Sequence, residues 1–181
     1  MRKVILIAIV LAVVSSYAQR LKDITTMYNK PTDETFIYAT FTDGSVYLRA
    51  SNTQKWNKVG MEGVPKGTRF KELTVTYING VAVLYALSYK DDIYSRINTQ
   101  NKWGKIEKNG LPKGRIQNLA ATTANKILIT YATYANGQIY YRTNKEKKWI
   151  KVSTKGLPSD KKKRPVKPKK LIKPKKPVKN F

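Results

Sequence analysis

The chain has 181 residues, with 36 Lys and Arg against 11 Asp and Glu, a formal net charge of +25 and neither cysteine nor histidine. The missing histidine removes the commonest general base, the commonest metal ligand and the usual pH switch. The missing cysteine excludes disulfides and thiolate sites, so the fold must rest on packing.

Residues 1–18 read as a secretory signal peptide. Arg2 and Lys3 precede the apolar run Val4 to Val14, and Ser15-Ser16-Tyr17-Ala18 supplies a small-residue exit. The run is shorter than the roughly 20 residues of a membrane span. A secreted, extracellular chain beginning at Gln19 and lacking a transmembrane anchor is therefore expected. It contains no Asn-X-Ser/Thr acceptor, so N-glycosylation is not expected.

From Leu21 onward the sequence repeats. Val46-Tyr47-Leu48-Arg49, Ile93-Tyr94-Ser95-Arg96 and Ile139-Tyr140-Tyr141-Arg142 each lead to a tryptophan, and Trp56, Trp103 and Trp149 follow one another at steps of 47 and 46 residues. That period is the length of one supersecondary unit. Three units result, at about 21–67, 68–114 and 115–159, within an all-β domain spanning 19–160.

Each unit holds four strand-like runs. The first is light: Ile24-Thr25-Thr26, Leu73-Thr74-Val75-Thr76 and Leu119-Ala120-Ala121-Thr122. The second is β-branched and aromatic, as in Phe36 to Phe41, Val83 to Leu87 and Ile129 to Tyr134, which favours a pleated strand. Thr42-Asp43-Gly44, Lys90-Asp91-Asp92 and Ala135-Asn136-Gly137 then turn the chain, and the Asp-Gly and Asn-Gly pairs suit tight hairpins. The Tyr-Arg and Trp runs complete the set, and Gly63-Val64-Pro65, Gly110-Leu111-Pro112 and Gly156-Leu157-Pro158 close the units. The first unit carries two extra residues around Lys30-Pro31-Thr32. No segment sustains a 3.6-residue apolar period, so helix should be scarce.

Three tandem four-stranded antiparallel repeats of this length predict a β-propeller-like body, with the light first strand nearest the axis. The Tyr-x-Arg, Trp and Gly-Leu-Pro pattern over residues 21–159 resembles tectonin or tachylectin-type lectin repeats, and also the repeats of sialidase-like propellers. The sialidase-like aspartate box is absent: Ser51-Asn52-Thr53-Gln54-Lys55-Trp56 stands in its place. A β-trefoil is the alternative, because it too has three four-stranded units and Gln54-Lys55-Trp56 resembles its Gln-x-Trp motif, although that glutamine does not recur. Closed propellers have 4 to 8 blades, and homodimer formation is one route by which three could close.

The three tryptophans are expected to pack between blades. Arg49, Arg96 and Arg142 share a strand face with Tyr47, Tyr94 and Tyr140, since residues two apart point the same way. Two readings stay open for them. They could form a repeated ligand-binding rim, a fork of donors beside a phenol suited to carboxylate, sulfate or hydroxyl groups. Equally, each guanidinium could tie blades together through a backbone carbonyl or an acid such as Asp43 or Asp92. Lys55, Lys102 and Lys148, with Lys58, Lys105 and Lys151, are expected in water on outer strands, where they protect the sheet edge.

Residues 161–181 form a Lys/Pro-rich tail carrying +11, with no acid. Low complexity, proline spacing and self-repulsion predict a disordered, extended basic arm. Lys161, Lys162, Lys163, Arg164, Lys167, Lys169, Lys170, Lys173, Lys175 and Lys176 are its candidate polyanion-binding residues. An acidic polysaccharide or matrix polyanion suits it better than a specific nucleic acid, because no groove-reading element accompanies the charge.

The acids form no pair with glycosidase spacing. No metal site, cofactor or enzymatic activity is therefore expected. The sequence points to a secreted lectin-like binding protein for glycans or acidic polysaccharides, with a structural matrix, biomineral or coat protein as the alternative.

Overall fold

The structure is a computed structural model, and it describes residues 19–53, 55–153 and 155. The expected signal peptide, the basic tail and the third closing loop from Gly156 lie outside these residues.

Three four-stranded antiparallel sheets follow one another along the chain. The first comprises β1 (Leu21–Asn29), β2 (Glu34–Phe41), β3 (Val46–Ala50) and β4 (Asn57–Val59). The second comprises β5 (Phe70–Ile78), β6 (Val81–Ser88), β7 (Ile93–Ile97) and β8 (Gly104–Ile106). The third comprises β9 (Ile116–Ala124), β10 (Ile127–Tyr134), β11 (Ile139–Thr143) and β12 (Ile150–Lys151). Each is an up-and-down meander in which sequence neighbours pair. The light first strands pack on one another, β1 on β5 and β5 on β9. This is the β-propeller-like arrangement, with the light strands innermost, and the β-trefoil alternative is set aside.

Turn chemistry follows the sequence. Asn79-Gly80 and Asn125-Lys126 join first to second strands with positive φ at both residues (49° and 81°, 49° and 60°), the geometry of a type I′ hairpin turn. In the first unit the two extra residues wind into a short 3-10 turn over Lys30–Thr32 that ends at Asp33, φ 53°. Asp43 caps the next turn, its Oδ1 accepting from Ser45 N at 2.9 Å and Ser45 Oγ at 2.7 Å.

Register places equivalent residues of the three units side by side. Leu21, Phe70 and Ile116 oppose Phe41, Ser88 and Tyr134; Ile24, Leu73 and Leu119 oppose Ala39, Ala86 and Ala132. Two cores result, one at each junction between sheets. The first gathers Tyr38, Val46, Phe70, Leu73, Tyr94 and Trp103, with Phe36 and Leu48 packed against it. The second gathers Val83, Tyr85, Ile93, Ile116, Tyr140 and Trp149.

The same bonds staple both junctions. Trp103 Nε1 donates to Gly60 O at 2.9 Å, and Trp149 Nε1 to Glu107 O at 3.0 Å. Trp103 N donates to Glu62 O and Trp149 N to Asn109 O, both at 2.8 Å. Along the inner strands, Leu73 N donates to Asp23 Oδ2 at 2.7 Å and Leu119 N to Glu72 Oε1 at 3.0 Å. Each of the two described closing loops therefore receives the tryptophan of the following unit.

The expectation of three packed tryptophans holds for two. Trp103 and Trp149 are each 1% exposed, but Trp56 is 39% exposed. The cause is position: the loop that would receive Trp56 belongs to a sheet preceding the first, and none of the three described sheets stands there.

Candidate functional site

The recurring arginines share one local task. Arg49 Nε donates to Thr53 O at 3.2 Å, Arg96 Nε to Gln100 O at 3.0 Å and Arg142 Nε to Glu146 O at 3.1 Å. Each clamps the loop leading from third to fourth strand. Beyond that clamp the three environments diverge.

Arg96 is buried, and each of its three guanidinium nitrogens is bonded. Its Nη1 donates to Gly60 O at 2.8 Å and its Nη2 to Asn101 Oδ1 at 3.3 Å. This is the inter-sheet carbonyl bond, one of the two roles open to it in sequence. Arg142 occupies the same register position but has a different neighbour. Its Nη1 is buried with no protein partner. Arg49 lies on the face of the first sheet that points away from the second.

The tyrosines share the arginines' faces, as alternation requires, but two are packed inside. Tyr94 is 2% exposed and its ring lies 5.7 Å from that of Phe70. Tyr140 is buried edge-on to Tyr134 at 5.6 Å, its hydroxyl donating to Gln138 Oε1 at 3.0 Å. Tyr47 packs edge-on to Phe41 at 5.4 Å on the outward face of the first sheet. The structure thus does not assemble the six residues on a common rim. The lysines flanking each tryptophan are exposed, as expected, and the tail's candidate polyanion-binding residues lie outside the described residues.

Arg142 lines a cavity of about 390 Å³ between the second and third sheets. Its walls are largely apolar, including Val83, Ile97 and Leu128, while Tyr85, Ser95, Thr130 and Asn144 add polar groups near the guanidinium. The cavity lies where side chains shrink relative to the first junction, Thr130 standing at the position of Leu84. Phe36 and Leu48 fill the first core, and the register-equivalent positions in the second unit are Val83 and Ser95. Burial raises the Tyr85 phenol, opposed by its hydrogen bond with Thr130 and by the charge of Arg142. It is therefore a neutral hydroxyl at physiological pH. At the first junction burial pushes Tyr38 up to about 12, against the charge of Arg96.

Ser95, Thr130 and Asn144 were not singled out by the sequence. The signal was nonetheless present: Tyr-x-Arg reads Leu48, Ser95 and Tyr141 at its middle position, and only the second is small.

No protein-family model matches the chain, and no curated protein matches it by sequence. Solved structures match by fold. YCF48 from Cyanidioschyzon merolae aligns over 74% of this chain and 37% of its own, with 15% identity and a TM-score of 0.50. A triple arginine-to-alanine mutant of AofleA from Arthrobotrys oligospora aligns over 75% of this chain and 43% of its own, with 17% identity and a TM-score of 0.50. A fucose lectin from Kordia zhangzhouensis, in complex with methyl-fucoside, aligns over 72% of this chain and 97% of its own, with 16% identity and a TM-score of 0.44. The chain spans 37% and 43% of the length of the first two. At these identities the likeness to the first two is one of fold, and it agrees with the propeller-like sheets described above.

Proposed function

We propose that this is a secreted, non-catalytic, lectin-like protein that holds a glycan in the cleft between its second and third sheets. The tectonin or tachylectin-type resemblance of its repeats belongs to the same reading. One observation carries it: Arg142, a side chain with a buried guanidinium nitrogen that has no protein partner, lines a cavity of about 390 Å³. Leaving a buried charged donor unpaired costs free energy, so a ligand oxygen there recovers a strong charge-assisted bond. The volume falls in the range of roughly 300–1,000 Å³ common to small-molecule sites. Apolar walls suit the C–H face of a sugar ring, and the hydroxyls of Tyr85, Ser95 and Thr130 suit its oxygens. The basic tail adds attachment to an acidic polysaccharide or matrix polyanion, an electrostatic contribution that salt screens.

A glycan array probed with residues 19–181, with the chain ended at 160, and with the Arg142→Ala variant tests this reading. Glycan signal should survive removal of the tail and fall at least tenfold in the variant. Silence from the intact chain across the array would overturn it. Tail-dependent binding to a sulfated polysaccharide should weaken steeply between low and high salt.

A further inference from the structure

The first sheet shows the next sheet one face and turns the other outward, and on that outward face three positions break the burial pattern of the repeat. Leu21 is 56% exposed, whereas its equivalents Phe70 and Ile116 are at most 1% exposed; Ile24 is 52% exposed, against 4% and 6% for Leu73 and Leu119. Trp56 is the third, exposed where Trp103 and Trp149 are buried. In the second and third units these residues are covered by the sheet before them.

The far side of the third sheet is the complement. Ile129, Tyr131 and Ile139 stand at the positions of Val83, Tyr85 and Ile93. Those three are at most 6% exposed because the third sheet covers them, while Ile129, Tyr131 and Ile139 stay partly exposed. The polar fittings recur as well. Ser153 and Lys155 follow β12 at the positions of Gly60 and Glu62, whose carbonyls accept from Trp103 Nε1 and Trp103 N. Asn118 stands at the position of Asp23 and Glu72, which accept from the N–H of the next unit's Leu73 and Leu119.

The geometry points to head-to-tail association of two copies, with the outward face of the first sheet in one copy seated on the far face of the third sheet in the other. Trp56 seats beside Ser153, its indole N–H donating to the Ser153 carbonyl. Ile24 N–H donates to the Asn118 side chain. The contact repeats the two junctions already inside the chain, so both partners present shapes and donors of a kind that this sequence is seen to bury. Lone exposed apolar residues need no explanation, but a set of them matched position by position to an internal interface does. A head-to-tail contact closes into a ring when the rotation allows. Two copies give six blades, within the range of 4 to 8 for closed propellers. The partner also completes a third kind of inter-sheet cleft, in which Arg49 faces Tyr131 and Tyr141 as Arg142 faces Tyr85 and Ser95.

Sedimentation equilibrium of residues 19–181, with acrylamide quenching of tryptophan fluorescence, tests the association. The expected mass is that of two copies, with all three tryptophans shielded at micromolar concentration and one becoming accessible on dilution. Trp56→Ala should yield the mass of one copy with an unchanged far-ultraviolet circular dichroism spectrum. An Asn118→Asp variant, which restores the acid of the other two units, should keep two copies. A single-copy mass for the unaltered chain, or a two-copy mass that Trp56→Ala leaves intact, would overturn the proposal. None of these readouts depends on glycan binding, so they stand apart from the test of the cleft.

Discussion

The backbone N–H of Leu119 donates to Glu72 Oε1 at 3.0 Å, which pins the inner strand of the third sheet to that of the second. Glu72 makes this bond from a half-buried position beside the inner-strand acid Asp23. Burial raises its carboxyl to about 7 from an ordinary 4.5; the Leu119 bond and Lys71 oppose the rise, and the charge of Asp23 adds to it.

A pH dependence follows from that burial. Between about 4.5 and 7 the unfolded chain ionises Glu72 while the folded chain keeps it protonated, so the folded state binds more protons and stability falls as pH rises. Above 7 both states are ionised and the loss is complete. Urea midpoints should decline from pH 5 to pH 7.5, and Glu72→Gln, which keeps an acceptor for Leu119, should flatten that slope. An unchanged slope in the variant would remove Glu72 as its source. Asp92 acts in a separate window: burial alone would raise it, but Lys105 and Lys108 at 3.1 and 3.2 Å hold it below 3.8, so its contribution is lost only in stronger acid.

Two glycines should differ sharply on replacement by alanine. Gly110 has φ +91°, and a Cβ there would fall on the Trp149 carbonyl; Gly137 has φ +79° with open space around it. Gly137→Ala meets only the conformational penalty, about 1 kcal/mol. Gly110→Ala adds a backbone clash where a closing loop receives the next tryptophan, for a total of about 3 kcal/mol or more. Thermal unfolding of both variants distinguishes the cases, and equal shifts would mean that the loop yields without cost.

Trp149→Ala should destabilise by about 3–5 kcal/mol, the usual range for deleting a buried aromatic. It empties the second core and removes the indole donor from Glu107 O at 3.0 Å. Denaturant unfolding measures this loss. A loss under about 1 kcal/mol would show that the second and third sheets hold together without their indole anchor.

The strands and hairpins of three four-stranded sheets were legible because they rest on local pattern. Alternation fixes faces, Asn-Gly fixes a tight turn, and the 47- and 46-residue steps fix the unit. The exposure of Trp56 was not legible from its own surroundings, since the same motif is buried twice elsewhere; what differs is the neighbour before it. The cleft was hidden for a related reason. It arises from side chains far apart in sequence, where Ser95 and Val83 replace the volumes of Leu48 and Phe36 between different pairs of sheets. Recurrence of Arg49, Arg96 and Arg142 marked a shared role, and only the three-dimensional neighbours separate the guanidinium of Arg96, bonded at every nitrogen, from that of Arg142, whose Nη1 has no protein partner.

That separation yields a final expectation. Arg96→Ala removes donors to Gly60 O, Gln100 O and Asn101 from a buried junction, a set of charge-assisted bonds whose loss should cost about 2–4 kcal/mol. Arg142→Ala removes the loop clamp to Glu146 O but also removes a buried nitrogen that had no protein partner. The two effects oppose each other, so its stability should change by no more than about 1 kcal/mol. Paired guanidinium chloride titrations of the two variants read the difference directly. If Arg142→Ala destabilises as much as Arg96→Ala, the guanidinium of Arg142 is structural and the cleft loses its distinguishing group. If only Arg96→Ala does so, Arg142 is held in place at little benefit to the fold, which is the condition expected of a residue kept for a ligand.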